Sequence, residues 1–200
     1  MQPSWNKRYE EAGFAYGTEP NDFLREHAHL LEGPVLSLAE GEGRNGVFLA
    51  GLGLDVTGVD SSDVGLNKAR TLAQARGVSL RTVVADLATH ELGHAGYGSV
   101  VAIYAHFPRA VRQAVHQRVR EALRPGGMYL VEAYTPAQTT RPTGGPRDPD
   151  LCYTLASLQE DFRGFEILIG REVERSVVEG RYHTGPASVV QWIARKPRDH

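Results

Sequence analysis

Gly41, Gly43 and Gly46 spell G-x-G-x-x-G, and an acid, Asp60, follows about 20 residues after the first glycine. Glycine permits backbone torsions and a close ligand approach that a Cβ forbids, and a carboxylate at that spacing can accept both hydroxyls of a ribose. The pattern suits a cofactor built on adenosine, although a strand-to-helix turn that binds nothing can carry the same letters. Glu40 stands directly before the first glycine, Arg44 and Asn45 fill positions where a pyrophosphate would favour bare backbone, and a second acid, Asp86, ends a later apolar run. These departures point away from a dinucleotide.

A second group of residues has the chemistry of proton transfer. His106 follows an apolar run, at the expected ligand rim, and imidazole titrates near enough to neutral pH to take a proton from a thiol, hydroxyl or amine. A hydrogen-bonded wall residue is the alternative reading of His106. Glu179 and His183 are expected on a loop over the same rim, with a solvated hairpin turn as the alternative. Tyr134, Arg141 and the segment Thr143-Gly144-Gly145-Pro146 either close over an acceptor or merely connect. His90 and His94 have a spacing that suits a metal on a helix, but Gly93 and Gly96 argue for a loop, so no metal site is expected. Cys152 is the one cysteine and has no companion for a disulfide or a cluster.

The elements that must position these residues alternate in type. The prefix before residue 34 reads as helical, carries Trp5, Tyr9, Phe14 and Tyr16, and ends at Gly33-Pro34. A buried strand over 35–39 runs into the glycine turn, and a helix over 45–52 follows. A strand over 56–60 ends on Asp60, Ser61-Ser62-Asp63 starts a helix that Gly77 stops, and a strand over 80–85 leads to Asp86. Residues 99–105 are apolar and β-branched enough for a buried strand that delivers Tyr104 and His106. Pro108 opens a helix in which Val111, Ala114, Val115, Ala122 and Leu123 recur at helical spacing, leaving Arg112, Gln113, Arg118 and Arg120 for the surface. After a strand over 128–133, the Pro-, Gly- and Thr-rich stretch 135–149 is long enough for a mobile lid. A short helix bears Leu155, Leu158 and Phe162, and two last strands, roughly 166–178 and 187–195, should pair as an antiparallel hairpin. The alternation implies an α/β, doubly wound, Rossmann-like and mostly parallel sheet, whose ligands sit beyond the carboxyl ends of its strands.

A chain of 200 residues that is 41% hydrophobic can bury a full core, so one domain over 1–200 is expected, with a helical N-terminal cap (1–33) and a core (34–197). A formal charge of −2 and scattered Lys and Arg argue against nucleic acid. No apolar run approaches the ~20 residues of a membrane helix. The first five residues lack the layout of a signal peptide, so a cytoplasmic monomer or homodimer is expected.

Residues 35–45, 56–60, 85–86 and 123–127, with the closing hairpin, resemble the successive motifs of class I S-adenosylmethionine-dependent methyltransferases. Within that superfamily, Trp5-Asn6-Lys7-Arg8-Tyr9, residues 16–24 and Gly41-Glu42-Gly43-Arg44-Asn45 are similar to the small tellurite-resistance (TehB-like) and thiol or thiopurine methyltransferase group. The resemblance implies a seven-stranded sheet with an antiparallel last strand, and S-adenosyl-L-methionine as cofactor, leaving S-adenosyl-L-homocysteine. It implies Glu40, Gly41 and Gly43 around the methionine part, Asn45 also in contact with the cofactor, Asp60 on the ribose with Ser61 beside it, and Asp86 with Leu87 at the adenine. Ile103, Tyr104 and His106 would line the reacting centre, and Tyr16 would belong to a cap over the cofactor. Arg44 departs from the small residue that many members carry there. The implied acceptor is a small molecule: a thiol, a heteroaromatic sulfur or a chalcogen oxyanion. Two rivals stand beside this reading. A nicotinamide-dependent oxidoreductase shares the glycine turn and ribose acid, although no lysine here follows a tyrosine by four residues. A non-catalytic protein that binds S-adenosylmethionine would show binding without product.

Overall fold

The computed structural model describes residues 5–198, so the first four residues of the expected cap lie outside the described residues. The cap contains α1 (Trp5–Tyr9) and α2 (Asp22–His27), the latter started by Asn21, whose side chain accepts from the Leu24 amide at 3.0 Å. Next come β1 (Val35–Leu38), α3 (Arg44–Gly51), β2 (Val56–Asp60), α4 (Asp63–Ala75) and β3 (Arg81–Val84). Ser62 caps α4 by accepting from the Gly65 amide at 3.0 Å, and Gly77, at φ 68°, ends it as the sequence predicts. The second half holds β4 (Tyr97–Ile103), α5 (Arg109–Ala122), β5 (Leu123–Tyr134), α6 (Leu155–Asp161), β6 (Glu166–Glu179) and β7 (His183–Arg195).

The strands form one sheet in the order β3-β2-β1-β4-β5-β7-β6. β1 pairs in parallel with both β2 and β4, and β7 lies antiparallel between β5 and β6. Alternate residues of each central strand feed opposite faces. Leu36, Val100, Val131 and Trp192 join the core under α5 and α6, while Val35, Val101, Leu130 and Ile193 join the core under α2, α3 and α4. Burial on both sides explains why these strands read as continuous apolar runs. The chain reverses direction across the sheet between β1 and β4, and the carboxyl ends of those two strands flank the crevice where such folds bind ligands.

Two expectations need correction. Arg112 is buried rather than on the surface, because its Nε meets Asp161 at 3.1 Å and His116 Nδ1 lies 2.8 Å from the same carboxylate, whereas Ala114 is exposed. The closing hairpin is also longer than its apolar pattern suggested. Glu179 and His183 are the last paired residues of β6 and β7, opposite each other, and not members of a loop.

Candidate active site

The glycine turn is built by its neighbours. Gly41 and Gly43 adopt φ of 60° and 93°, and a Cβ on Gly43 would lie 2.7 Å from the Ala69 Cα of α4. Asp60, at the carboxyl end of β2, braces the turn: its Oδ2 accepts from the Gly41 amide and its Oδ1 from the Ser62 amide, each at 2.8 Å. Burial raises the pKa of Asp60 against those bonds. Glu40 is buried beneath the turn, where Oε1 accepts from the Gly46 amide at 2.7 Å and Oε2 has no hydrogen-bond partner. Burial pushes its carboxyl up to about 7. A carboxyl oxygen is thus supplied to the start of α3 by the chain itself, on the amide that a pyrophosphate would need.

The cap closes over this turn. The Tyr9 ring lies against Gly41 and Gly65, so close that a Cβ on Gly41 would stand 2.7 Å from the Tyr9 hydroxyl oxygen. Asn45 Oδ1 accepts from the Asn21 amide at 3.0 Å, and Glu42 Oε2 accepts from the Ala15 amide at 2.7 Å while Lys68 pairs with its Oε1 at 2.9 Å. Of the other residues expected here, Ile103 and Leu87 are buried in the two cores. Ser61 is exposed next to the capping Ser62, and Asp86 is exposed with its carboxylate on the Ala88 amide.

Across the crevice stands a cluster of aromatic rings. Tyr104, directly after β4, has φ 53°, a left-handed conformation that a bulky side chain seldom adopts and that marks local strain. Its ring stacks on Tyr134 at 4.5 Å between centroids and meets the edge of His183 at 4.8 Å. His106 stacks on Tyr134 at 5.5 Å, and Tyr16 from the cap reaches His183 at 4.6 Å. The 135–149 stretch covers these rings: a Cβ on Gly145 would lie 2.8 Å from Tyr134 Cδ2, while Arg141 turns away to pair with Glu174.

Three polar atoms of this cluster are buried without a partner: His106 Nε2, His183 Nδ1 and the Tyr134 hydroxyl. His106 Nδ1 lies 2.9 Å from the Leu151 carbonyl, which can only accept, so Nδ1 carries the proton and Nε2 presents a bare lone pair. Burial pulls the His106 pKa down to about 4, and burial with the nearby Arg44 charge pushes His183 well below its usual range. Both imidazoles are neutral at pH 7.

Beneath the rings runs a network of buried charge. Glu179 accepts from Arg44 at 2.7 Å, Asn21 at 2.7 Å and Arg175 at 3.1 Å. Glu132, fully buried in β5, accepts from Asn21, Tyr104, Arg175 and Gln191. Arg44, expected to stand apart from the family pattern, ties α3 to β6 and keeps a buried Nη1 with no partner. Sequence reasoning missed Asn21, Glu132, Arg175 and Gln191. Glu132 alone left a signal, a charge inside the otherwise apolar stretch 128–134.

Residues 35–127 match the family described as "Methyltransferase domain", a stretch that runs from β1 into β5. No curated protein matches the chain at a significant level. Among solved structures, one concerned with the conversion of a disulfide bond into a thioacetal group during echinomycin biosynthesis is 21% identical, with a TM-score of 0.76 over 98% of this chain and 89% of that one. TehB from Haemophilus influenzae is 19% identical, with a TM-score of 0.73 over 96% of this chain; the match spans 65% of TehB, just under two thirds of its length. Magnesium protoporphyrin IX methyltransferase from Synechocystis, solved with bound S-adenosylmethionine, is 21% identical, with a TM-score of 0.60 over 87% of this chain and 74% of that one. At these identities the structural likeness carries the fold alone, and that fold is the seven-stranded Rossmann-like one of class I methyltransferases.

Proposed function

We propose that this chain, whose residues 35–127 match a methyltransferase domain, transfers a methyl group from S-adenosylmethionine to a small acceptor across the crevice between β1 and β4. The observation that carries the reading is the pairing of two unfinished half-sites. On one side, Glu40 Oε2 and Arg44 Nη1 are buried without partners beside a glycine turn; on the other, His106 Nε2, His183 Nδ1 and the Tyr134 hydroxyl are buried without partners among rings. Buried polar groups in native folds are nearly always satisfied, so a cluster of exceptions marks a ligand position.

In this reading Glu40, Gly41, Gly43 and Asn45 hold the methionine part, and Asp60, next to Ser61, takes the ribose. Asp86 and Leu87 border the adenine, and Tyr16, Ile103 and Tyr104 enclose the reacting centre. When bound, S-adenosylmethionine supplies an electrophilic methyl on a cationic sulfur whose leaving group is a neutral thioether. The aromatic faces of Tyr104 and Tyr134 favour such a cation electrostatically. His106 is the proton acceptor. Glu179 and His183, also candidates for chemistry, do different work: Glu179 is saturated by Arg44, Asn21 and Arg175 and positions the wall, while His183 faces the acceptor. Alignment and exclusion of water then supply most of the rate.

The likeness to TehB-like and thiol methyltransferases makes thiols, heteroaromatic sulfur compounds and chalcogen oxyanions the first acceptors to try. A dinucleotide is disfavoured because Glu40 already occupies the Gly46 amide. Calorimetry with S-adenosylhomocysteine and, separately, NADH tests the proposal: binding of the first and not the second is expected. NADH binding alone, or neither, would remove it.

A further inference from the structure

Resting on that reading, we infer that the acceptor binds as a neutral protic molecule, X–H with X a sulfur, oxygen or nitrogen, donating its hydrogen to His106 Nε2, and that oxyanions are excluded. The argument starts from the tautomer. The Leu151 carbonyl holds the proton on Nδ1, and the segment bearing it is pinned at three further points. Asp150 accepts from the Arg109 amide at 3.2 Å, the Tyr153 hydroxyl donates to the Ala105 carbonyl at 2.6 Å, and the Tyr153 amide donates to the Tyr134 carbonyl at 2.9 Å. A ring held this firmly cannot turn its N–H toward the crevice without breaking a buried bond. What it offers the acceptor is a lone pair, which attracts a donor hydrogen and repels an anion.

The surroundings agree. The ring faces of Tyr104 and Tyr134 are the negative ends of quadrupoles. The buried charges behind them are two carboxylates, Glu132 and Glu179, against two guanidinium groups, Arg44 and Arg175, already paired with one another. Arg8 lies over Tyr182 at the rim, with its Nη1 on the Tyr16 hydroxyl. Among the described residues two buried cationic N–H groups lack a partner, Arg118 Nε on α5 and Arg44 Nη1 in this network, and Glu179 already matches the Arg44 charge. An oxyanion would therefore find no unpaired cation in the protein wall to balance it, whereas a neutral X–H completes His106 Nε2 and can accept from the Tyr134 hydroxyl. The transfer then balances. The X–CH3 bond forms as the S–CH3 bond breaks with its electron pair left on sulfur, and the X–H proton passes to Nε2 and then to water.

The test uses the full chain with histidine labelled by nitrogen-15, saturated with S-adenosylhomocysteine at pH 7, with His106 assigned through His106→Gln. Failure of S-adenosylhomocysteine to bind would remove the proposed function itself and not this inference. With the complex formed, His106 is expected as the Nδ1–H tautomer with a bare Nε2 whose resonance moves on adding a thiol, phenol or amine from a panel and stays in place with selenite or tellurite. In the turnover arm, with S-adenosylmethionine, S-adenosylhomocysteine release with at least one neutral compound should exceed release with either oxyanion at least tenfold. His106→Phe should reduce that release at least tenfold while leaving S-adenosylhomocysteine affinity within twofold, and His106→Gln should restore part of it. A proton on Nε2, an Nε2 resonance indifferent to every neutral compound, or faster turnover of selenite or tellurite each overturns the inference while the methyltransferase reading stands.

Discussion

Replacing Glu40 with glutamine should make the protein more stable, by an amount that grows as pH rises from 4.5 to 7 and is constant above. The folded carboxyl titrates at about 7 because burial penalises its charge, against about 4.5 when the chain is unfolded. Below pH 4.5 both states hold the proton and the residue contributes nothing. Between 4.5 and 7 the unfolded chain releases its proton while the folded chain keeps it, so stability falls as pH rises. Above 7 the loss levels off at about 3 kcal/mol, from about 1.4 kcal/mol for each tenfold difference in proton affinity. Glutamine has no proton to lose, and its carbonyl can still accept from the Gly46 amide, so the variant avoids that cost. In a domain of this size about 3 kcal/mol corresponds to a gain of about 6–12 °C in Tm at pH 8.5, shrinking to nothing near pH 4.5. Thermal melts of both proteins without ligand, from pH 4.5 to 8.5, read this directly. Parallel curves, or a variant less stable at pH 8.5, would show that Glu40 is ionised and well solvated and would refute the account of the turn.

Two further substitutions probe the other half-sites. Asp60→Ala should weaken S-adenosylhomocysteine binding at least tenfold by calorimetry, the loss of charge-assisted bonds costing ~1.5 kcal/mol or more; an unchanged affinity removes Asp60 from the ribose role. Glu179→Ala strips Arg44 of its ion-pair partner inside the fold and should cost about 3 kcal/mol in urea unfolding, part of which Arg44→Ala should return in the double variant. Additive losses would mean that the two side chains are not coupled.

The sequence made local structure legible and left the long-range polar wiring hidden. The glycine turn, the Ser62 cap, the Gly77 stop and the two-sided burial of the central strands all follow from residues within a few positions of one another. The polar network does not. Glu132 gathers Arg175, Gln191 and Asn21 from 43, 59 and 111 residues away, and periodicity says nothing about which charges meet. Arg112 was misread for the same reason: at helical spacing it belongs to a polar face, and only the arrival of Asp161 on α6 makes its burial tolerable. His106 was found by its place after β4, but its tautomer depends on a carbonyl 45 residues later. Asp86 has the right position at a strand end, yet it spends its carboxylate on its own turn.

The closed cap adds a consequence for how ligands arrive. Glu40, Gly41 and Asp60 are all buried, with Tyr9 of α1 lying over the turn, so a ligand that touches the turn must first displace α1. The contacts that hold α1 and the turn after it are of a kind that can be exchanged, unlike the buried bonds of Ala15 and Asn21. Lys68 donates to the backbone carbonyls of Glu11 and Gly13, the Tyr182 hydroxyl donates to Glu11, and Asn6 donates to Asp63, all near water. Bonds of this kind are each replaced by water at little net cost, about 1 kcal/mol. The walls below are different: Glu132, Glu179 and Arg44 leave their partners only at the expense of buried charge. Opening therefore falls to α1, while β5 and the Leu151 carbonyl keep Tyr134 and His106 in place for the acceptor.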